Sequence, residues 1–172
     1  EGVNLVPFVA QDKFNYSKSL YDAENNSVRR FVEDWAAVYN DCMAWSYGTF
    51  FYDYLCFYDS FGFYSEYYKL LKENKYMYTF AQIHDCQRGA DTGFGVLHNY
   101  LCSKLAWNSD LDVNKLVDNY FKAMYKDAWV EMKELFTQES LWFATENART
   151  SLTTSSSVTS TEKDKRFYEN DR

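Results

Sequence analysis

The sequence contains few of the residues that bind metals. It has only two histidines, and its four cysteines are 14, 30 and 16 positions apart, so no Cys-x-x-Cys pair exists. Zinc sites are built from closely spaced cysteine and histidine pairs. The sequence therefore predicts no metal site and no cofactor, and it favours buried free thiols over disulfides. The four cysteines are Cys42, Cys56, Cys86 and Cys102.

Long apolar runs and basic stripes are also absent. The longest apolar run, Leu5 to Ala10, has the length of a strand, whereas a membrane span needs about 20 residues. The net charge is −7, with 18 basic against 25 acidic residues. An acidic chain without a Lys/Arg stripe is a poor match to nucleic acid or to anionic membranes. No short catalytic motif occurs, so a site has to be inferred from the layout of the elements.

Aromatic residues are abundant. They make up 20% of the chain, with 16 tyrosines, 14 phenylalanines and 5 tryptophans. Tyrosine combines a large apolar ring with a polar tip, which suits a surface that stacks on sugars or polyols. A tyrosine-rich core explains the same composition, so composition alone leaves both interpretations open.

Short apolar runs alternate with segments of helical periodicity. Strand, helix, strand, helix, strand and then helices imply parallel strands joined by crossover helices, an α/β protein. Residues 1–146 form the predicted domain, and the Ser/Thr-rich residues 147–172 are predicted to lack regular structure. The predicted strands cover about 4–10, 42–48 and 76–83, and the predicted helices 27–40, 65–74, 94–107, 113–125 and 127–143.

A family resemblance rests on four blocks of residues, which together cover about residues 1–140. The blocks are Asn25 or Asn26 with a helix containing Trp35, Trp45-Ser-Tyr47, Phe80-Ala-Gln82 with Leu97 to Asn108, and Leu116 to Tyr125. On these residues the chain resembles a bacterial family, domain of unknown function 4838, that accompanies glycoside-hydrolase-like proteins. It departs from the family at Ser46, where members often have Asp.

The resemblance implies a fold and a partner. The fold would be the C-terminal part of a (β/α)8 barrel, with about three parallel strands followed by a helical region, as in α-glucuronidases and hexosaminidases. The chain would then lack the first half of its barrel, and that N-terminal half would be its partner. A secreted or cell-surface location in a bacterium would fit this resemblance, although the sequence itself identifies no compartment.

Candidate binding residues follow the second and third predicted strands. Trp45 and Tyr47 are two positions apart, so they share a face and could stack on a pyranose ring. Gln82, His84 and Asp85 lie where the third strand ends and could contact sugar hydroxyls. The alternatives are two core aromatics in the first case and a loop-capping histidine in the second.

Other polar residues are weaker candidates for a binding site. Asp12, Asn15 and Glu24 follow the first strand and could reach a ligand, whereas His98 lies in an apolar helix and is predicted to be structural. Glycoside hydrolysis uses two carboxylates about 5–9.5 Å apart. Asp12 and Asp85 are the acids at predicted strand ends, but neither stands in a recognisable motif, so the catalytic residues stay unassigned.

The sequence thus predicts a carbohydrate-processing protein that contributes aromatic and polar residues to a sugar subsite. When complete it would be a glycoside hydrolase, and the part given by this chain alone would be inactive. A carbohydrate-binding module without catalysis and a helical protein-interaction domain are the alternatives.

Overall fold

The computed structural model describes residues 5–11, 13–16, 18–48, 57, 59–82 and 94–145. Strands and helices alternate in the first half of the chain, and helices follow, as the sequence predicted. The elements are β1 (Phe8–Ala10), α1 (Asn26–Val38), β2 (Met43–Tyr47), α2 (Phe61–Glu73), β3 (Tyr78–Gln82), α3 (Gly95–Trp107), α4 (Val113–Tyr125) and α5 (Trp129–Thr145), with short 3₁₀ turns at Ala23–Asn25 and Lys126–Ala128.

The three strands form one parallel sheet in the order β1-β2-β3. Ala10, Trp45 and Phe80 lie side by side across the sheet, and Tyr47 is paired with Gln82. The carboxyl ends of all three strands therefore meet at one edge, which confirms the predicted parallel arrangement.

The two faces of the sheet have opposite environments. Val9, Ala44 and Ser46 are buried on one face, and Val9 and Ala44 join a core cluster that includes aromatic residues of α2. Phe8 and Phe80 lie on the other face and keep 45% and 40% of their surface exposed. Parallel sheets are normally covered on both faces. In the described part of this protein the helices cover one face only.

The core itself is dominated by aromatic residues. The largest fully buried side chains include Tyr64, Tyr67, Phe14 and Phe121. Tyr67 and Phe63 stack with ring centroids 5.6 Å apart, and Phe14 packs edge-on against Tyr67 at 5.8 Å. Much of the unusual aromatic content is therefore used for packing, as the tyrosine-rich-core interpretation predicted.

Two helix starts differ from the predicted ones. The helix α1 begins at Asn26, one residue before the predicted start, because a 3₁₀ turn capped by Asp22 leads directly into it. The helix α2 begins at Phe61, four residues before the predicted start. The ring of Phe61 stacks on His98 with centroids 4.1 Å apart, and this tertiary contact extends the helix. The helix α4 begins at Val113 as predicted, and Asp112 caps it, accepting from Asn114 N at 2.9 Å.

The predicted boundary between the domain and the Ser/Thr-rich tail, at residue 146, lies outside the described residues, as does the tail. Among the helices that are described, none is both long and apolar enough to span a membrane. Cys42 and Cys102 are buried free thiols, and the other two cysteines lie outside the described residues.

Candidate functional site

Trp45 is the centre of an aromatic cluster on the uncovered face of the sheet. Its ring stacks on Tyr47 at 6.0 Å and meets Phe80 edge-on at 5.1 Å. Phe8, from β1, lies 5.5 Å from it on the other side. Trp45 and Tyr47 are both half-buried. All three strands therefore contribute rings to one surface, which we call the aromatic face: Phe8, Trp45, Tyr47 and Phe80.

Gln82 supplies an amide at the carboxyl end of this face. The indole N–H of Trp45 donates to Gln82 Oε1 at 3.2 Å, which orients the amide beside the ring. The N–H of Gly48, just after β2, donates to the main-chain oxygen of Gln82 at 2.9 Å. The structure thus brings together Trp45, Tyr47 and Gln82, three of the five residues that the sequence proposed as a site.

The remaining two proposed residues, His84 and Asp85, lie outside the described residues, and so does Asp12. Their predicted roles stay predictions.

Asn15 and Glu24 are used within their own loop. Asn15 Nδ2 donates to Glu24 Oε2 at 2.9 Å, and Lys18 forms an ion pair with the same carboxylate at 2.6 Å. The fully buried Asn25 holds this loop, because its side chain accepts from Asn15 N at 2.8 Å and donates to the carbonyl oxygens of Asn15 and Ser19. These contacts indicate a structural role for the loop that follows β1.

His98 is structural, as predicted. It is buried, its Nε2 lies 2.6 Å from Ser60 Oγ, and its ring stacks on Phe61. Burial lowers the pKa of His98 to about 3, so the imidazole is neutral at physiological pH. Ser60 is fully buried as well, so this serine and histidine join α2 to α3 away from solvent.

The sequence reasoning overlooked Phe8, Phe80 and Asp59. Phe80 could have been found, since it lies two residues before Gln82 and so shares its face.

Asp59 precedes α2, and therefore lies on the side of the sheet where β2 ends. Burial raises the pKa of Asp59, and hydrogen bonds from Ser140 and from Phe61 N oppose this shift. No motif marks Asp59, so only the structure could single it out.

The aromatic face and Gln82 offer groups that can bind a ligand, and they include no carboxyl group. Their rings offer apolar stacking surfaces, and the amide both donates and accepts hydrogen bonds. Among the described residues, no group of three or more His, Cys, Asp or Glu side chains could hold a metal ion. The arrangement suits a neutral, ring-shaped ligand with hydroxyl groups along its edge.

Comparison with known proteins identifies one family. No curated protein and no solved structure matches the chain. The family model described as domain of unknown function (DUF4838) matches residues 4–135, which include all three strands and the helices α1 to α4. The chain therefore belongs to the DUF4838 family.

Proposed function

We propose that this chain is part of a carbohydrate-processing protein and that its aromatic face binds a sugar ring. The observation that carries the proposal is the stacked pair of Trp45 and Tyr47, with the Gln82 amide beside the indole N–H. A pyranose has an apolar ring face and hydroxyls around its edge. Aromatic rings and an oriented amide match those two features.

The position of the aromatic face supports the proposal. Ligand sites of α/β proteins lie at the carboxyl ends of parallel strands, and Tyr47 and Gln82 are the last residues of β2 and β3. The aromatic face also points away from the helices, which corresponds to the interior of a (β/α)8 barrel. In our proposal the chain is the C-terminal part of such a barrel, and the rest of the barrel covers this face.

The catalytic part of the proposal concerns the complete protein. A glycoside hydrolase needs a proton donor and a second carboxylate on either side of the scissile bond. The aromatic face carries no carboxylate, so in our proposal this chain shapes a subsite and the catalytic carboxylates come from the other half of the barrel. The chain alone should therefore bind sugar without hydrolysing it.

The test compares this chain with the complete product of its gene. Both are titrated with a panel of neutral and acidic oligosaccharides while tryptophan fluorescence is followed, and both are incubated with aryl glycosides. We expect binding by both proteins and hydrolysis by the complete product alone. Binding by both without hydrolysis would leave a binding module, and no response from either would exclude the carbohydrate proposal.

A protein-interaction domain is the second candidate, because α5 also exposes apolar residues. Val130, Leu135 and Leu141 keep about half of their surface exposed. Exposed apolar helix surfaces of this kind mark contacts with other proteins. Absence of any sugar response, together with a defined partner that protects α5 from amide exchange, would favour this function.

A further inference from the structure

Two buried tyrosines donate hydrogen bonds to the main chain at the carboxyl ends of β1 and β2. The hydroxyl of Tyr64, in the first turn of α2, donates to the main-chain oxygen of Tyr47, the last residue of β2. The hydroxyl of Tyr16 donates at 3.1 Å to the main-chain oxygen of Gln11, the first residue after β1. Both hydroxyls therefore contact the end of the sheet that carries the candidate site.

Each hydroxyl is connected to one of the two stacked rings of the aromatic face. Tyr64 binds the backbone of Tyr47 directly. Tyr16 binds Gln11, and the N–H of Gln11 donates in turn to the main-chain oxygen of Trp45 at 3.4 Å. The backbone of Tyr47 is thus held through Tyr64, and the backbone of Trp45 through Tyr16.

The rings of the two tyrosines are fixed by their surroundings. Both are buried, and their centroids lie 6.3 Å apart. Phe63 packs against both rings, at 4.6 Å from Tyr16 and 5.9 Å from Tyr64, and His98 of α3 meets Tyr64 edge-on at 5.8 Å. Because close packing leaves such rings little freedom, each hydroxyl is held at one place and can fix the oxygen to which it donates.

The end of β2 is also held from the neighbouring strand. The N–H of Gly48 donates at 2.9 Å to the main-chain oxygen of Gln82, and the indole of Trp45 holds the Gln82 side chain. The ends of an element open more readily than its centre. A binding site needs its groups held to within about 0.5 Å, which requires supporting contacts of this kind.

We propose that Tyr64 and Tyr16 are positioning residues of the aromatic face, which hold Tyr47 and Trp45 in place for a ligand that neither tyrosine touches. The inference rests on the proposed sugar site and extends it to the helix-covered side of the sheet. A phenylalanine at either position would fill the same space and would bury no hydroxyl, so packing alone does not explain the two tyrosines.

The test uses Tyr64→Phe and Tyr16→Phe, each of which removes a hydroxyl and keeps the ring. The matched control is Tyr76→Phe, because the hydroxyl of Tyr76 also donates to a main-chain oxygen, that of Val32 in α1, at 2.8 Å. Tyr76 precedes β3 and so lies at the amino end of the strands. All three variants should lower Tm by about 2–4 °C, since each loses one hydrogen bond.

Sugar affinity separates the two positioning residues from the control. In titrations with the sugar that gives the strongest fluorescence response, Tyr64→Phe and Tyr16→Phe should each raise Kd at least about threefold, and Tyr76→Phe should leave it unchanged. Because Tyr64 acts through Tyr47, Tyr64→Phe should have no further effect on affinity in a Tyr47→Ala background. Equal changes of Kd in Tyr64→Phe and Tyr76→Phe would overturn the proposal, and so would additive effects of Tyr64→Phe and Tyr47→Ala.

The indole N–H signal of Trp45 in a ¹H–¹⁵N NMR spectrum tests the positioning without a ligand. It is the signal that Trp45→Phe lacks, and it reports both the hydrogen bond to Gln82 and the stacked ring of Tyr47. Tyr64→Phe and Tyr16→Phe should shift or broaden this signal, whereas the control should not.

The two readouts distinguish failure of the positioning from failure of the sugar site. An unchanged Trp45 signal in both Tyr64→Phe and Tyr16→Phe would overturn the positioning role, whether or not the protein binds sugar. A shifted signal in a protein that binds no sugar of the panel would support the positioning role and refute the sugar-binding proposal instead.

Discussion

Replacing Trp45 by alanine separates a binding role from a packing role. Truncating a fully buried aromatic residue costs about 3–5 kcal/mol. Trp45 is only half-buried, and it makes three ring contacts and one hydrogen bond on a partly exposed surface. We therefore expect Trp45→Ala to lower the free energy of unfolding by about 2 kcal/mol, which leaves a protein of ordinary stability folded.

Sugar affinity should respond more strongly. Loss of the stacking ring should weaken binding at least about tenfold, since aromatic stacking is worth about 0.5–1.5 kcal/mol beyond the area that is buried. Trp45→Phe keeps a ring but removes the N–H that holds Gln82, so it should bind with intermediate affinity. Met43→Ala is the matched control, because Met43 is a half-buried residue without a ring on the same face of the same strand.

The assay combines urea denaturation with titration of the sugar that gives the strongest response in the panel. Phe121→Ala, at a fully buried position, should cost about 4 kcal/mol and sets the scale for a true core residue. If Trp45→Ala destabilises as much as Phe121→Ala and the remaining folded protein binds sugar with unchanged affinity, Trp45 is a core residue and the proposed site is wrong.

Three further predictions concern buried polar groups. Asn25→Ala should lower the free energy of unfolding by about 3 kcal/mol in urea denaturation, because three hydrogen bonds are lost, whereas its exposed neighbour Asn26→Ala should cost less than about 1 kcal/mol. The pKa of His98 is about 3 in the folded protein and about 6.5 in the unfolded chain, so only the unfolded chain binds a proton at pH 5. The free energy of unfolding should therefore fall by about 2 kcal/mol between pH 7.5 and pH 5. His98→Gln should remove that loss. Burial raises the pKa of Cys102 and of Cys42, so in a variant without the other two cysteines a thiol reagent should label both only after unfolding.

The sequence predicted the sheet and most helices because each has a clear hydrophobic period. The strands β2 and β3 lie within two residues of the predicted ranges at each end, and parallel pairing followed from their alternation with helices. The start of α2 was missed because Phe61-Gly62-Phe63-Tyr64 has the composition of an aromatic loop. Its helical state depends on contacts with α3, including the stack of Phe61 on His98, and no local pattern encodes those contacts.

The shared face of Trp45 and Tyr47 could be predicted because side chains alternate along a strand. That Gln82 lies on the same face follows from the register of β2 and β3, which only the structure gives. Alternation alone could not decide whether that face meets the helices or points away from them. The burial of Ala44 and Ser46, which alternate with the two rings, answers this question. The rings lie on the side that the helices leave uncovered, which makes a binding role physically possible.

The size of the side chains explains why the sheet is oriented this way. Strand β2 reads Met-Ala-Trp-Ser-Tyr, so one face carries large side chains and the other carries Ala44 and Ser46. The helix α2 presents Tyr64, Tyr67 and Tyr68 to the core, and a close-packed interior has room for such rings only above small residues. The large side chains of β2 must then occupy the opposite face. In this protein the tyrosines of α2 thus direct Trp45 and Tyr47 away from the core. The high aromatic content of the chain therefore supplies both the aromatic core and the aromatic face.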